Sequence, residues 1–272
     1  MAFRSMLRAV DRTVLRAGRL ASGATPRGLA AWLVVARDRY ARAYVATTRM
    51  QNQLRYDAPP RPYRLVHVDP ARIERVADEA RPMYRRAGVV CGGDWDLVDR
   101  RFIDLDVYRA YEAHFEDGVP WTETEFFDRV VAEIERGQTR WGCDSRAALE
   151  ARCERLDDLY ESIATEGFQS QAELAAADDP TLGRPPRLPT ERRKNEVAVH
   201  VGRDGEVLFA DGRNRLCIAK LLGLDEIPVR VLWRHADWQA TRDAAARGEP
   251  VDADPEHPDL PVESRETVTS SG

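Results

Sequence analysis

Asp211-Gly212-Arg213-Asn214-Arg215 gathers in five positions the groups best suited to holding an anion. Gly212 permits a tight or positive-φ turn and close approach of a ligand to the backbone. The amides after it would point out of a starting helix, where they carry partial positive charge. Arg213 and Arg215 add forked donors of fixed charge, and Asn214 adds a neutral donor and acceptor. Together these suit a phosphate group. Upstream, Arg192-Arg193-Lys194 lies one hairpin away and either folds over the same turn or forms a solvated loop. The plainer reading of 211–215 is an ordinary strand–turn–helix with surface arginines, and spacing does not separate the two.

The elements that must position this turn span 196–234. They read as a β-hairpin, the turn, a short helix and a closing strand. Leu216, Ile218, Ala219, Leu221 and Leu222 anchor the helix, Gly223 ends it, and 227–232 returns as a strand.

Elsewhere the chemistry is sparser. The 92–96 loop, Gly-Gly-Asp-Trp-Asp, sets Asp94 and Asp96 around Trp95. It suits a sugar stacked on the indole, a metal, or a turn capped by aspartate with the indole plugging the core. Trp141-Gly142-Cys143 reads as a helix end with Gly142 at the C-cap. His114 and His200 stand alone, and no Ser/His/Asp grouping has a nucleophile context. The four cysteines, Cys91, Cys143, Cys153 and Cys217, match no zinc spacing, so no metal is expected and reduced core thiols are.

The 272 residues hold 41 Lys and Arg against 46 Asp and Glu, a net charge of −5. Charge is uneven: residues 1–64 hold 13 arginines, three aspartates and neither lysine nor glutamate. The remainder is therefore strongly acidic, which argues against wrapping nucleic acid with the body. Only Lys194 and Lys220 are lysines. No run of 18 apolar residues occurs, and the arginines of the first segment interrupt any signal-like apolar centre. A cytoplasmic location, peripheral to a membrane at most, is the expectation.

Residues 2–21 suit a basic amphipathic helix, either attached to an anionic membrane surface or a protein partner, or packed on the body. A second helix is expected from about 26 to 53, ending before a proline cluster at 58–62 that reads as a linker. A strand over 63–68 leads to Asp69-Pro70, a cap and first turn for a helix to about 87. Helical patterns follow at 105–116, 122–136 and 146–166, with Thr122 and Glu125 at capping-box spacing. Residues 178–190 form a loop. A last helix falls near 236–247, and the acidic segment 248–272 is expected to be disordered.

The stretch 206–232, EVLFADGRNRLCIAKLLGLDEIPVRVL, preceded by a leucine-rich helix ending at Gly167, resembles the ParB/sulfiredoxin superfamily over roughly 150–235. In that family the short motif matched here by 211–215, called the box, floors a nucleotide pocket. ParB proteins bind and hydrolyse CTP there, sulfiredoxins use ATP to repair an oxidised cysteine, and some relatives phosphorylate free serine. The resemblance implies that Gly212 and Arg215 contact phosphates. Arg213 stands where ParB proteins have Glu, and Asn214 where Arg or His is usual. Cys217 lies beyond the box arginine, not where sulfiredoxins carry their cysteine.

The expected class is therefore α+β: a basic helical arm (1–57), a mainly helical region (63–150), a ParB/sulfiredoxin-like domain with a small mixed sheet (151–247), and an acidic tail (248–272). The expected function is binding of a nucleotide or phosphorylated small molecule. It extends to nucleoside triphosphate hydrolysis or small-molecule phosphoryl transfer with Mg²⁺, for which Asp94, Asp96 and Asp211 are the candidate carboxylates. The alternatives are a non-catalytic module attached through 1–21, and nucleic-acid binding by the arm. Sequence-specific DNA binding is not expected, because too few residues follow Trp233 for a DNA-reading domain.

Overall fold

The computed structural model describes residues 27–77, 87–176 and 196–261, with backbone alone for 27–38 and 175–176. The segment 2–21 and the triplet Arg192, Arg193 and Lys194 lie outside the described residues. The class is α+β, helices around a small mixed sheet.

The sheet is built on β5 (Ile227–His235), a strand buried along its whole length. Its Ile, Val and Trp content suits a strand covered on both faces. β3 (Val197–Val201) runs parallel to β5, and β4 (Val207–Asp211) pairs antiparallel with β3. β1 (Leu65–Val68) lies antiparallel along the first half of β5's other edge, and β2 (Val89–Cys91) lies parallel along its end. The order is β1-β5-β3-β4, with β2 also on β5. β3 alternates as its pleat demands. Val197, Val199 and Val201 face the main core, and Ala198 faces a smaller cluster with Ala87, Leu232 and Trp233.

The helices are α1 (Arg27–Gln53), α2 (Asp106–Phe115), α3 (Glu125–Glu135), α4 (Arg146–Glu166), α5 (Gln171–Ala176), α6 (Arg213–Leu221) and α7 (Ala236–Ala246). Among them no helix is long and apolar enough to cross a membrane. α4 starts where Ser145 Oγ accepts the Ala148 amide at 3.3 Å and stops at Gly167, which has φ 82°. One apolar cluster runs from Val66 through Phe102, Tyr111, Phe127 and Leu149 to Val199, Ile218 and Leu260. The helical region and the sheet region therefore share a core, and the boundary expected near 150 falls inside α4.

Several expectations need correction. Over the described residues 69–77, the helix expected after Asp69 is a 3-10 turn, Pro70–Arg72, followed by extended chain; Asp69 does accept the Ala71 amide at 2.7 Å, and 78–86 lie outside the described residues. Beyond it the chain is claimed by β4: Ala77 donates to Phe209 O, and Phe209 donates to Arg75 O. Those partners at a sheet edge replace the bonds a helix would have made. The capping residue of α3 is Thr124, not Thr122. Its Oγ1 accepts from Phe127, while Thr122 sits in a 3-10 turn begun by the buried Trp121. Trp141-Gly142-Cys143 does not end a helix. It forms a tight turn closed by the Arg140–Cys143 bridge, with Trp141 itself at φ 55°.

The proline cluster at 58–62 is no free linker. Ala58 donates to Asp243 Oδ1 at 2.8 Å, and its carbonyl accepts from Gln239 and Arg242. Nor is the start of the acidic tail disordered. Asp259 is 3% exposed and accepts from Arg234 Nε at 2.8 Å and Trp238 Nε1 at 3.0 Å. Composition argued for disorder, but cations from β5 and α7 neutralise the carboxylate and Leu260 fills the core beneath.

Candidate functional site

The turn forms where β4 delivers the chain to α6. Gly212 adopts φ 88°, ψ 32°, the left-handed region. Only glycine serves there, because a Cβ would stand 2.7 Å from Val197 Cα. The close approach of turn and β3 is thus written into the residue type. Asp211 Oδ1 accepts the Gly212 amide at 2.9 Å. The first amide to bond back within the helix is Leu216, to Gly212 O at 3.2 Å. Arg213, Asn214 and Arg215 therefore supply the helix's leading amides, and no side chain caps them among the described residues.

Arg213 places its guanidinium 5.6 Å from the centre of the Trp141 ring. Its Nε is buried without a hydrogen-bond partner, as is Asn214 Oδ1. Burial pulls the Arg213 pKa below its usual value, helped by nearby Arg100 and opposed by Asp106 and Asp211. Arg152, from α4, also lies 5.6 Å from the Trp141 ring centre with a buried, unpartnered Nε. Nothing in the sequence singles out Arg152, and Trp141 stands there only as part of an expected helix end. The indole does pack edge-on against Phe126, at 5.0 Å between ring centres, and it also gathers two guanidinium groups beside the helix start.

Arg215 has a different position. It lies 4.1 Å from the centre of the Phe168 ring, donates to Gln169 O, and pairs with Glu196 Oε2 at 3.4 Å. Glu196 is 4% exposed and also accepts the Gln171 amide at 2.8 Å. Burial pulls Arg215 down and pushes Glu196 up, and each is partly restored by the other's charge. The pair ties the α4–α5 connection to the entry of β3, directly under Gly212.

The 92–96 loop stands at the other end of β3. Asp96 is buried and takes a two-pronged contact from Arg203, with Nε and Nη2 each at 2.9 Å, and the Arg203 amide at 2.8 Å. The Arg203 bonds hold its carboxyl down at about 2. Asp94 joins the same guanidinium at 2.9 Å. Trp95 packs on His200, Trp233 and His235, with ring centres 5.7, 6.1 and 5.9 Å away. Glu196 and Arg203 bracket β3, so this loop and Arg215 are roughly 20 Å apart at about 3.3 Å per residue. They do not share a cleft. Of the three carboxylates, Asp211 alone stands at the turn.

Among the described residues, no group of three or more His, Cys, Asp or Glu could hold a metal. Cys143, Cys153 and Cys217 are buried free thiols, and burial pushes the Cys153 thiol up to about 12. Cys217 is pushed up further still by its complete burial, so it is held as an unreactive core thiol. No protein-family model, curated protein or solved structure matches the chain.

Proposed function

We propose that this chain binds a phosphorylated small molecule, a nucleotide above all, at the start of α6. The observation that carries the reading is Arg213, a partly buried guanidinium with no carboxylate in ion-pair range among the described residues. A desolvated cation whose only carboxylates among the described residues, Asp106 and Asp211, act from beyond ion-pair distance is costly, and an anionic ligand offsets that cost. The leading amides of Arg213, Asn214 and Arg215 have no side-chain cap among the described residues and stand at the positive end of the helix dipole. Arg152 adds a second cation, and Asn214 Oδ1 a free acceptor. In this reading Arg215 positions rather than binds, holding the turn against β3 through Glu196. Arg192 and Arg193, which lie outside the described residues, are proposed to add phosphate charge.

The resemblance of the box to ParB-type nucleotide pockets supports a nucleoside triphosphate over a simple phosphate. Mg²⁺ commonly takes one or two carboxylates and completes its shell with phosphate oxygens and water. The exposed Asp211 fits that part as a single protein ligand. Hydrolysis or phosphoryl transfer would call on the same carboxylate, since Asp94 and Asp96 belong to Arg203 at the far end of the strand.

A thermal-shift screen of CTP, ATP, GTP and inorganic phosphate, with and without Mg²⁺, tests the reading. A binder present at a hundredfold excess over its dissociation constant stabilises the native state by about 2.7 kcal/mol. No shift with any of them would end the proposal. A second reading is favoured by the 13 arginines and three aspartates of 1–64: attachment to an anionic surface or partner. It expects co-sedimentation with anionic liposomes that is lost when 1–21 is removed.

A further inference from the structure

A cavity of about 450 Å³ opens behind α6, away from the box. That is the size range of small-molecule sites. Its wall combines the 3-10 turn Pro70–Arg72, the segment around Arg101 and Ile103, and the end of α6 with Lys220 and Leu224. Gly212, Arg213, Asn214 and Arg215 do not line it.

Lys220 is the unusual group here. The chain meets its need for positive charge with arginine almost throughout, and Lys220 is one of two lysines among 41 basic residues. Arginine cannot lose its proton in a protein, whereas lysine can. Lys220 Nζ has only a long contact, 3.5 Å to Ala71 O, and lies 5.8 Å from the Phe102 ring centre. No carboxylate is within ion-pair distance of it among the described residues, although Asp69, Glu74 and Asp225 line the same cavity and the first two favour its charged form. An amine held half out of water without an ion pair is one whose neutral, nucleophilic form is accessible.

We propose that Lys220 is a carbonyl-trapping amine, and that this cavity takes a small oxo acid or aldehyde which condenses with it. The Nζ lone pair attacks the carbonyl carbon, a C–N bond forms, and one Nζ proton passes to the carbonyl oxygen. The second Nζ proton passes to the resulting hydroxyl, relayed by the Glu74 or Asp69 carboxylate, the C–O bond breaks, and a C=N bond results. One water leaves and nothing is oxidised or reduced. Arg101 offers the acid group a fixed counter-charge, and Ile103 and Leu224 cover the carbon chain. Burial lowers the Lys220 pKa from its ordinary value, in keeping with that chemistry.

The two-lysine composition makes the test clean. The full chain is incubated at pH 7 with glyoxylate and sodium cyanoborohydride, which reduces any imine to a stable adduct, and peptides are mapped by mass. Lys220 in the folded protein is expected to label at least tenfold faster than Lys220 in urea-unfolded protein, with a rate that saturates in glyoxylate. Lys220→Arg removes that adduct and leaves labelling at Lys194 unchanged. Labelling of folded Lys220 no faster than in urea, or a rate rising linearly with glyoxylate, overturns the proposal.

Discussion

Arg215 reaches Glu196 across 3.4 Å, and the two side chains are 11% and 5% exposed. An arginine of the 211–215 turn thus holds that turn to β3. Removing one member of such a pair strands the other charge in a dry site, which typically costs about 3–5 kcal/mol. Arg215→Ala is expected to lower the urea midpoint by that order. Arg215→Met with Glu196→Gln should recover much of the loss, because no unpaired charge then remains. A double mutant as unstable as the single would show that the pair's geometry, not its charge, matters.

Asp259 makes the second test of buried charge. It collects Arg234, Arg242 and the Trp238 indole while fully buried. Burial alone would push its carboxyl up, but Arg234 and Arg242 more than reverse this and hold it low. Asp259→Ala is expected to destabilise by about 3–5 kcal/mol and to alter Trp238 fluorescence. Cutting the chain after residue 248 should do at least as much. Unchanged unfolding in both variants would mean that 249–261 contributes nothing to the native fold.

His200 gives a pH dependence whose sign follows from burial. Its ring is fully buried and stacked on Trp233 at 5.2 Å, with both nitrogens unpartnered. Burial lowers its pKa to about 3, and the Val199 backbone offsets little of this. The unfolded chain takes up the proton near pH 6.5, so its stabilising share is complete above that and is lost as pH falls toward 3. The slope across this window is about 1.4 kcal/mol per pH unit. His200→Phe should remove this component of the acid sensitivity, seen as a flatter dependence of the urea midpoint on pH between 6.5 and 4.

Gly212→Ala tests the turn itself. The methyl group would meet Val197 at 2.7 Å in a backbone region that L-residues avoid. A loss of about 1–3 kcal/mol is expected, from strain and from parting the turn and β3. A neutral result would show that the turn relaxes freely and does not hold the α6 amides in place.

The parts of this fold that were legible share one property: their signals are local. α1 and α4 carry clear limits, and the hairpin with its Gly212 turn and short helix follows from alternation and one glycine. β2 was missed because three residues carry no period. Residues 75–77 were read as helix because their partner, Phe209, is more than 130 positions away. Asp259 was hidden in an acidic, proline-rich run whose neutralising cations lie on β5 and α7. At the site, the turn at Gly212 is legible in the sequence, but Arg213 and Arg215 look alike there. Only their neighbours, Glu196 and Phe168 for Arg215, Trp141 for Arg213, separate the brace from the unpaired cation. Arg152 had no local signal, as it reaches Trp141 from α4.

Calorimetric titration of the wild type and of Arg213→Ala with CTP and ATP, in Mg²⁺ and at two salt concentrations, bears most directly on the α6 site. Arg213→Ala should still fold, losing only the packing and cation–π contact with Trp141, about 0.5–2 kcal/mol. The wild type should bind at least one triphosphate with an affinity that weakens as salt rises, and Arg213→Ala should bind it at least tenfold more weakly. Equal affinities in the two proteins, or no heat of binding in either, would contradict an anion site at the start of α6.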